Sequence, residues 1–135
     1  MRHAVLADTG PLYAVVDPRD NRFGRAREDV ARLNSERLSV VVSYPILCES
    51  YSLILHRLGV HRARSWLEEI RDRASLLNPS IRDYEAASDL VLDYPDQRLS
   101  MFDAVTAVLG ERLGMPVWSY DHHFDVMGVE VWRDA

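Results

Sequence analysis

Short β-branched runs alternating with longer stretches of helical periodicity constrain this chain most, because strands connected through helices pair in parallel by default. His3 to Asp8 is an apolar run stopped at Asp8-Thr9-Gly10-Pro11, where proline suits the first turn of a helix. From Asn21 to Arg37, the positions Phe23, Ala26, Val30 and Leu33 recur at helical spacing with arginines on the outer face. Leu38 to Val42 reads as a second strand, after which Ser43 and Pro45 open a helix to about Leu58, closed by Gly59. A helix over Val60 to Ala74, a short strand at Leu76-Leu77 and a helix over Ile81 to Leu92 follow. Leu99 to Leu113, ended by Gly114, is the clearest helix, and strands at Val117 to Tyr120 and Val129 to Val131 complete the pattern. The expected fold is α/β, with a mainly parallel sheet covered on both faces.

No internal repeat or Pro/Gly-rich linker interrupts the 135 residues, so one domain over residues 1-135 is expected. A chain of this size buries about two-thirds of its unfolded surface. With 47% hydrophobic and 27% charged residues, no segment has the composition of disorder. The opening MRHAVLADTG is too short an apolar run for a signal peptide, and no stretch approaches the ~18 apolar residues of a membrane span, so no membrane association and a cytoplasmic location are expected. Cys48 stands alone, which excludes an internal disulfide and a thiolate zinc site, and it reads as a small buried hydrophobe.

The net charge of −5 is unevenly spread. Asp83, Glu85, Asp89, Asp93, Asp96 and Asp103 are set against Arg98 alone, whereas the segment from Arg57 to Arg73 is net basic, so the two regions are expected to present opposite fields. All 16 basic residues are arginine. Without a lysine there is no Schiff-base chemistry, no P-loop cation and no lysine partner for a phosphoaccepting receiver domain.

In parallel sheets ligands bind beyond the carboxyl ends of the strands, near the point where strand order reverses. Asp8 and Asp121 both follow a strand directly. Two more acids sit on the apolar flanks of helices: Glu49, with Ile46 and Leu53 beside it, and Asp103, among Leu99, Phe102, Thr106 and Ala107. Burying an unpaired carboxylate costs several kcal/mol, so each needs a partner. Each also has a structural reading. Asp8 is placed to cap the helix near Pro11, Asp121 to cap the turn His122-His123-Phe124, and Ser100 with Asp103 has the spacing of a capping box. Four carboxylates gathered in one pocket repel unless a divalent cation neutralises them, and hard oxygen ligands select Mg²⁺ or Mn²⁺ over Zn²⁺.

Four stretches carry a family resemblance. "LADTGPLYAVVD", "PILCESY", "DQRLSMFDAV" and "WSYDHHFD" follow the order and spacing of the PIN-domain ribonucleases, and within them of the VapC-like toxins of bacterial toxin–antitoxin pairs. The likeness spans essentially the whole chain. It implies a PIN-like three-layer α/β/α sandwich, with Asp8, Glu49, Asp103 and Asp121 as the catalytic and metal-binding acids, Thr9 and Ser119 as polar support, and Asp96 and Asp125 as candidate outer acids. One departure stands out, since His122 and His123 occupy a stretch where an arginine is expected nearby.

The resemblance further implies an endoribonuclease that uses Mg²⁺ or Mn²⁺ to activate water and leaves a 5′-phosphate and a 3′-hydroxyl. It implies an RNA substrate, a cognate antitoxin and a homodimer. Phe23, Leu47 and Ile54 on the helices of 21–37 and 43–58 are expected to line a groove for an amphipathic antitoxin helix, whose following arginine enters the acidic pocket. A haloacid-dehalogenase-type phosphatase is disfavoured because Gly10 stands where that site needs a second acid. A non-catalytic binding module, with the acids serving only as caps, is the remaining rival. Adjacent residues on a turn point apart, so His122 and His123 read as solvated or RNA-facing. Tyr13, Tyr44 and Tyr51 are candidates for base stacking, while Trp66 and Trp118 read as core.

Overall fold

The computed structural model describes residues 3–133. In chain order these form β1 (Ala4–Ala7), α1 (Thr9–Ala14), α2 (Phe23–Ser35), β2 (Ser39–Ser43), α3 (Tyr44–Leu58) and α4 (Val60–Arg73). They continue as β3 (Ser75–Leu77), α5 (Ile81–Leu92), α6 (Met101–Leu113), β4 (Val117–Trp118) and α7 (His123–Val126). All strand pairings are parallel, in the order β3-β2-β1-β4.

The alternation of a strand sorts its side chains to opposite faces, and that sorting builds the layers. Val5 and Ala7 of β1 pack into a core with Leu12, Leu33, Ile46, Ile54 and Trp66, contributed by α1 to α4. Leu6, between them, turns the other way to Ala87, Ala104, Val105 and Leu109 of α5 and α6. Both faces of the sheet are therefore dry, as an all-parallel sheet requires, and the architecture is the expected α/β/α sandwich. Trp66 and Trp118 lie in this core as expected.

Helix ends follow local chemistry. The Ser43 hydroxyl accepts from the Ile46 N–H at the start of α3, and Gly114 ends α6 in the left-handed conformation, φ 65°, where a side chain would be strained. The reciprocal capping box forms at Ser80 and Asp83: the Ser80 hydroxyl accepts from the Asp83 N–H at 3.2 Å and the Asp83 carboxylate from the Ser80 N–H at 2.9 Å. Asp83 also takes a two-pronged bond from Arg112, both at 2.8 Å, tying α5 to α6. That pairing consumes part of the acidic run within the fold and holds the Asp83 carboxyl below its usual range.

Five expectations are corrected. The clearest helix begins at Met101, because Ser100 is its N-cap. Of the last strand, only Val131 makes a ladder pair, a parallel bridge to Val117, since β4 is two residues long and offers no more edge. Cys48 is exposed: it lies two residues from both Ile46 and Ser50, which are buried, and so on the other side of α3. Ile54 is fully buried against the sheet, so it cannot line a groove with Phe23 and Leu47. Tyr13 is buried too, its hydroxyl bonded to Asp17, and offers no face to a base.

Close packing at one glycine makes this arrangement testable. A Cβ on Gly110 of α6 would lie 3.0 Å from Val117 Cγ2 and 3.1 Å from the Met115 carbonyl oxygen. Gly110→Ala should therefore lower unfolding stability by about 1–3 kcal/mol, read by urea titration, despite alanine's better helix propensity.

Candidate active site

The strand order reverses beside β1: β2 and β3 extend the sheet on one side and β4 adds on the other. Asp8 leaves the carboxyl end of β1 at this point, and its N–H donates to the Trp118 carbonyl across the gap at 3.0 Å. Although Asp8 occupies the N-cap position of α1, its side chain makes no capping bond. It accepts instead from the Ser119 hydroxyl at 2.7 Å, and that hydroxyl accepts from the Asp121 N–H at 3.0 Å. One serine thus joins the two strand-end acids. Asp121 does cap its turn, accepting from the His123 N–H at 2.9 Å, and still faces the cleft.

Glu49 arrives from α3. The Thr9 hydroxyl donates to its carboxylate in a short hydrogen bond, and Ser50 donates to the Thr9 hydroxyl at 3.4 Å. Asp103 arrives from the first turn of α6, where its N–H donates to Ser100 at 3.0 Å. The return bond from its carboxylate, which completes the box at Ser80 and Asp83, is absent among the described residues. The Asp103 side chain remains 14% exposed and is free to face the other acids.

Asp8, Glu49, Asp103 and Asp121 together line an open cleft of about 920 Å³. Burial pushes the Asp8 carboxyl from 3.8 up to about 7, with the charges of Asp103 and Glu49 adding to it and the Ser119 hydroxyl opposing. Burial likewise raises Asp103, reinforced by Asp121 and Glu49. Thr9 bonds Glu49 and Ser119 bonds Asp8, so both hydroxyls touch acids of the cleft. Asp125 and Asp96 do not join the cleft: Asp125 is held by Arg133 through both carboxylate oxygens at 2.6 Å, and Asp96 is exposed in the turn before α6.

The histidine pair departs from expectation. The two rings lie 4.3 Å apart rather than pointing away from each other. His122 is solvated, but the His123 side chain is only 15% exposed and turns inward, with Nδ1 3.1 Å from Asp121 and 3.8 Å from Asp103. The rim holds further residues that periodicity did not flag, among them Arg22, His56 and Tyr120. Tyr120 is pinned by Asp29, which accepts from its hydroxyl at 2.6 Å and from Trp118 Nε1 at 3.1 Å, while Arg25 lies 4.2 Å over its ring. Asp29 carried the same signal as Glu49, an acid on the apolar side of a helix between Ala26 and Leu33.

Comparison with known proteins agrees with this geometry. The chain is 29% identical over 109 residues to Ribonuclease VapC26 of Mycobacterium tuberculosis, covering 80% of this chain and 78% of the relative. Among solved structures it resembles VapC20 of M. tuberculosis, a sarcin–ricin loop cleaving toxin, with TM-score 0.84 at 21% identity over 97% of this chain and 100% of the other. VapBC2 of Rickettsia felis, solved bound to a DNA fragment from its promoter, follows with TM-score 0.74 at 10% identity over 96% and 97%. The PIN domain family matches residues 5–130, and with the parallel sheet and the acidic cleft at its reversal point, the chain belongs to that family.

Proposed function

We propose that this chain is a Mg²⁺- or Mn²⁺-dependent endoribonuclease acting as the toxin of a toxin–antitoxin pair. The observation that carries this is the cleft itself: four carboxylates from four separate elements, with the charges bearing on Asp8 all negative. A protein retains such a repulsive cluster at a cost in stability, and hard oxygen donors without a matched arginine are the donor set of a divalent cation. Asp8, Glu49, Asp103 and Asp121 would hold it. When bound, such an ion lowers the pKa of water and offsets charge on phosphate oxygens.

The chain's own groups supply positioning. Ser119 aims Asp8, and Thr9 aims Glu49, so neither carboxylate spends orientational freedom when a substrate arrives. Arg22 on the rim offers a planar fork to a phosphodiester. No side-chain nucleophile is needed: water attacking phosphorus would displace the 3′-oxygen, breaking the P–O3′ bond, and the leaving oxygen would take up a proton, so the products would carry a 5′-phosphate and a 3′-hydroxyl.

The likeness to VapC26 and to VapBC2 supports an antitoxin partner. Its helix has a groove of about 590 Å³ beside α2 and α4, lined by Val15, Val16, Phe23 and Trp66, in place of the groove expected at Ile54. The homodimer belongs to the same proposal, and sedimentation returning a monomer at micromolar concentration removes it. No helix of the described residues is long and apolar enough to cross a membrane.

Two measurements test the reading. Asp103→Asn should lower RNA cleavage by at least ~100-fold and shrink the rise in Tm that Mn²⁺ gives the parent protein, while the metal-free variant melts no lower than the parent. A parent chain whose Tm ignores Mn²⁺ and which cleaves no RNA would instead be a binding module. The second is pH dependence without metal. Because folding raises the Asp8 pKa from 3.8 to about 7, its ionisation opposes folding, so the contribution of Asp8 to stability is greatest below about 4 and falls as pH rises toward 7. At about 1.4 kcal/mol per pH unit the loss is up to about 4 kcal/mol, and Asp8→Asn should flatten that part of the profile in melts recorded in EDTA.

A further inference from the structure

His123 does not line the cleft, but its Nδ1 is close to two acids that do, Asp121 and Asp103, and its burial there has no structural explanation. Its Nδ1 is shut off from water and makes no hydrogen bond, the only such side-chain atom among the described residues. Asp121 Oδ1 is near enough, at 3.1 Å, so it is the direction of the ring that fails to make the bond. An unpaired buried nitrogen costs about 1–3 kcal/mol, and a ring turned outward beside the 75% exposed His122 would avoid that cost.

The separations have another meaning. Two ligand atoms with bonds of about 2.1 Å at right angles lie about 3.0 Å apart, which is the spacing of His123 Nδ1 and Asp121 Oδ1. Asp103 Oδ2 is 3.8 Å from the same nitrogen, the wider spacing of ligands beyond a right angle. Asp121, His122 and His123 each also present a donor atom within 4.8 Å of the others. Backbone bonding keeps the ring in place: the Asp121 carboxylate accepts from the His123 N–H, and the fully buried Phe124 anchors the next position.

We propose that His123 is a metal ligand, completing through Nδ1 a cation site with Asp121 and Asp103. This rests on the metal-dependent reading above and changes its character. An oxygen-only set suits Mg²⁺, whereas an imidazole nitrogen shifts preference toward Mn²⁺ and the later transition ions. His123→Gln should then weaken Mn²⁺ binding about tenfold or more and Mg²⁺ binding less, so the Mn²⁺-over-Mg²⁺ preference itself narrows.

Pulsed EPR of Mn²⁺ bound to the chain tests the assignment, using protein made with ordinary and with ¹⁵N-labelled histidine. The expected result is a directly bound nitrogen whose coupling changes from ¹⁴N to ¹⁵N on labelling, persists in His56→Gln and His122→Gln, and vanishes in His123→Gln. If His123→Gln does not fold, persistence in both other variants still assigns the nitrogen to His123, since His3 stands at the opposite end of β1 from Asp8 and His61 lines the separate groove beside α2 and α4. A bound Mn²⁺ with no nitrogen coupling, or one lost in His56→Gln or His122→Gln, overturns the role of His123 and leaves the carboxylate site standing. Failure of Mn²⁺ to bind at all overturns the metal-dependent reading and this assignment together.

Discussion

The structure depends on β1 being dry on both faces. Val5, Leu6 and Ala7 are fully buried, and their alternation sends neighbouring side chains into different helical layers. A strand in that position must be central in its sheet, with a parallel neighbour on each side. Because β2 and β3 follow on one side, β4 can only join on the other, and the strand order reverses at the carboxyl end of β1. The cleft is a consequence: connections leave that point in opposite directions, and the gap between them is where Asp8 and Asp121 emerge.

What the fold creates there, it does not stabilise. Asp8 is 6% exposed with acids for neighbours, and the hydroxyls of Ser119 and Thr9 orient the carboxylates without neutralising them. Asp83 is equally buried, yet Arg112 and the Ser80 N–H meet both its oxygens, and its carboxyl shifts downward rather than up. The contrast between these two aspartates separates an acid used to tie helices together from one left without a neutralising partner at the cleft. Asp29, satisfied by Trp118 and Tyr120, belongs with Asp83, although its product is a fixed aromatic ring at the cleft rim.

Much of this was legible from residue order. Glu49 and Asp103 interrupt apolar helix faces, and Asp8 and Asp121 follow strands, so residue order marked all four acids, although Asp29 carried the same helical signal as Glu49. The capping readings fared unevenly for a physical reason. Asp121 both caps and faces the cleft because a turn leaves one carboxylate oxygen spare, whereas Asp8 gave up its cap for Ser119, a residue 111 positions away. Asp125 looked like an outer acid until Arg133 came within 2.6 Å of it. Spacing also misjudged Cys48 and Ile54, because deciding which side of α3 meets the sheet requires knowing where α1 and α4 lie.

The sequence by itself determined the parallel α/β class, the helix ends at Ser43 and Gly114, and which four acids stand in unusual places, because these follow from local propensity and from side-chain period along one element. Only the tertiary structure decided which acids meet, which are neutralised by arginine, and that His123 turns inward beside Asp103 and Asp121. Those outcomes depend on distances between elements far apart in the chain, and side-chain direction at a turn is set by what the neighbouring helix leaves room for. The periodicity of one segment carries no information about either.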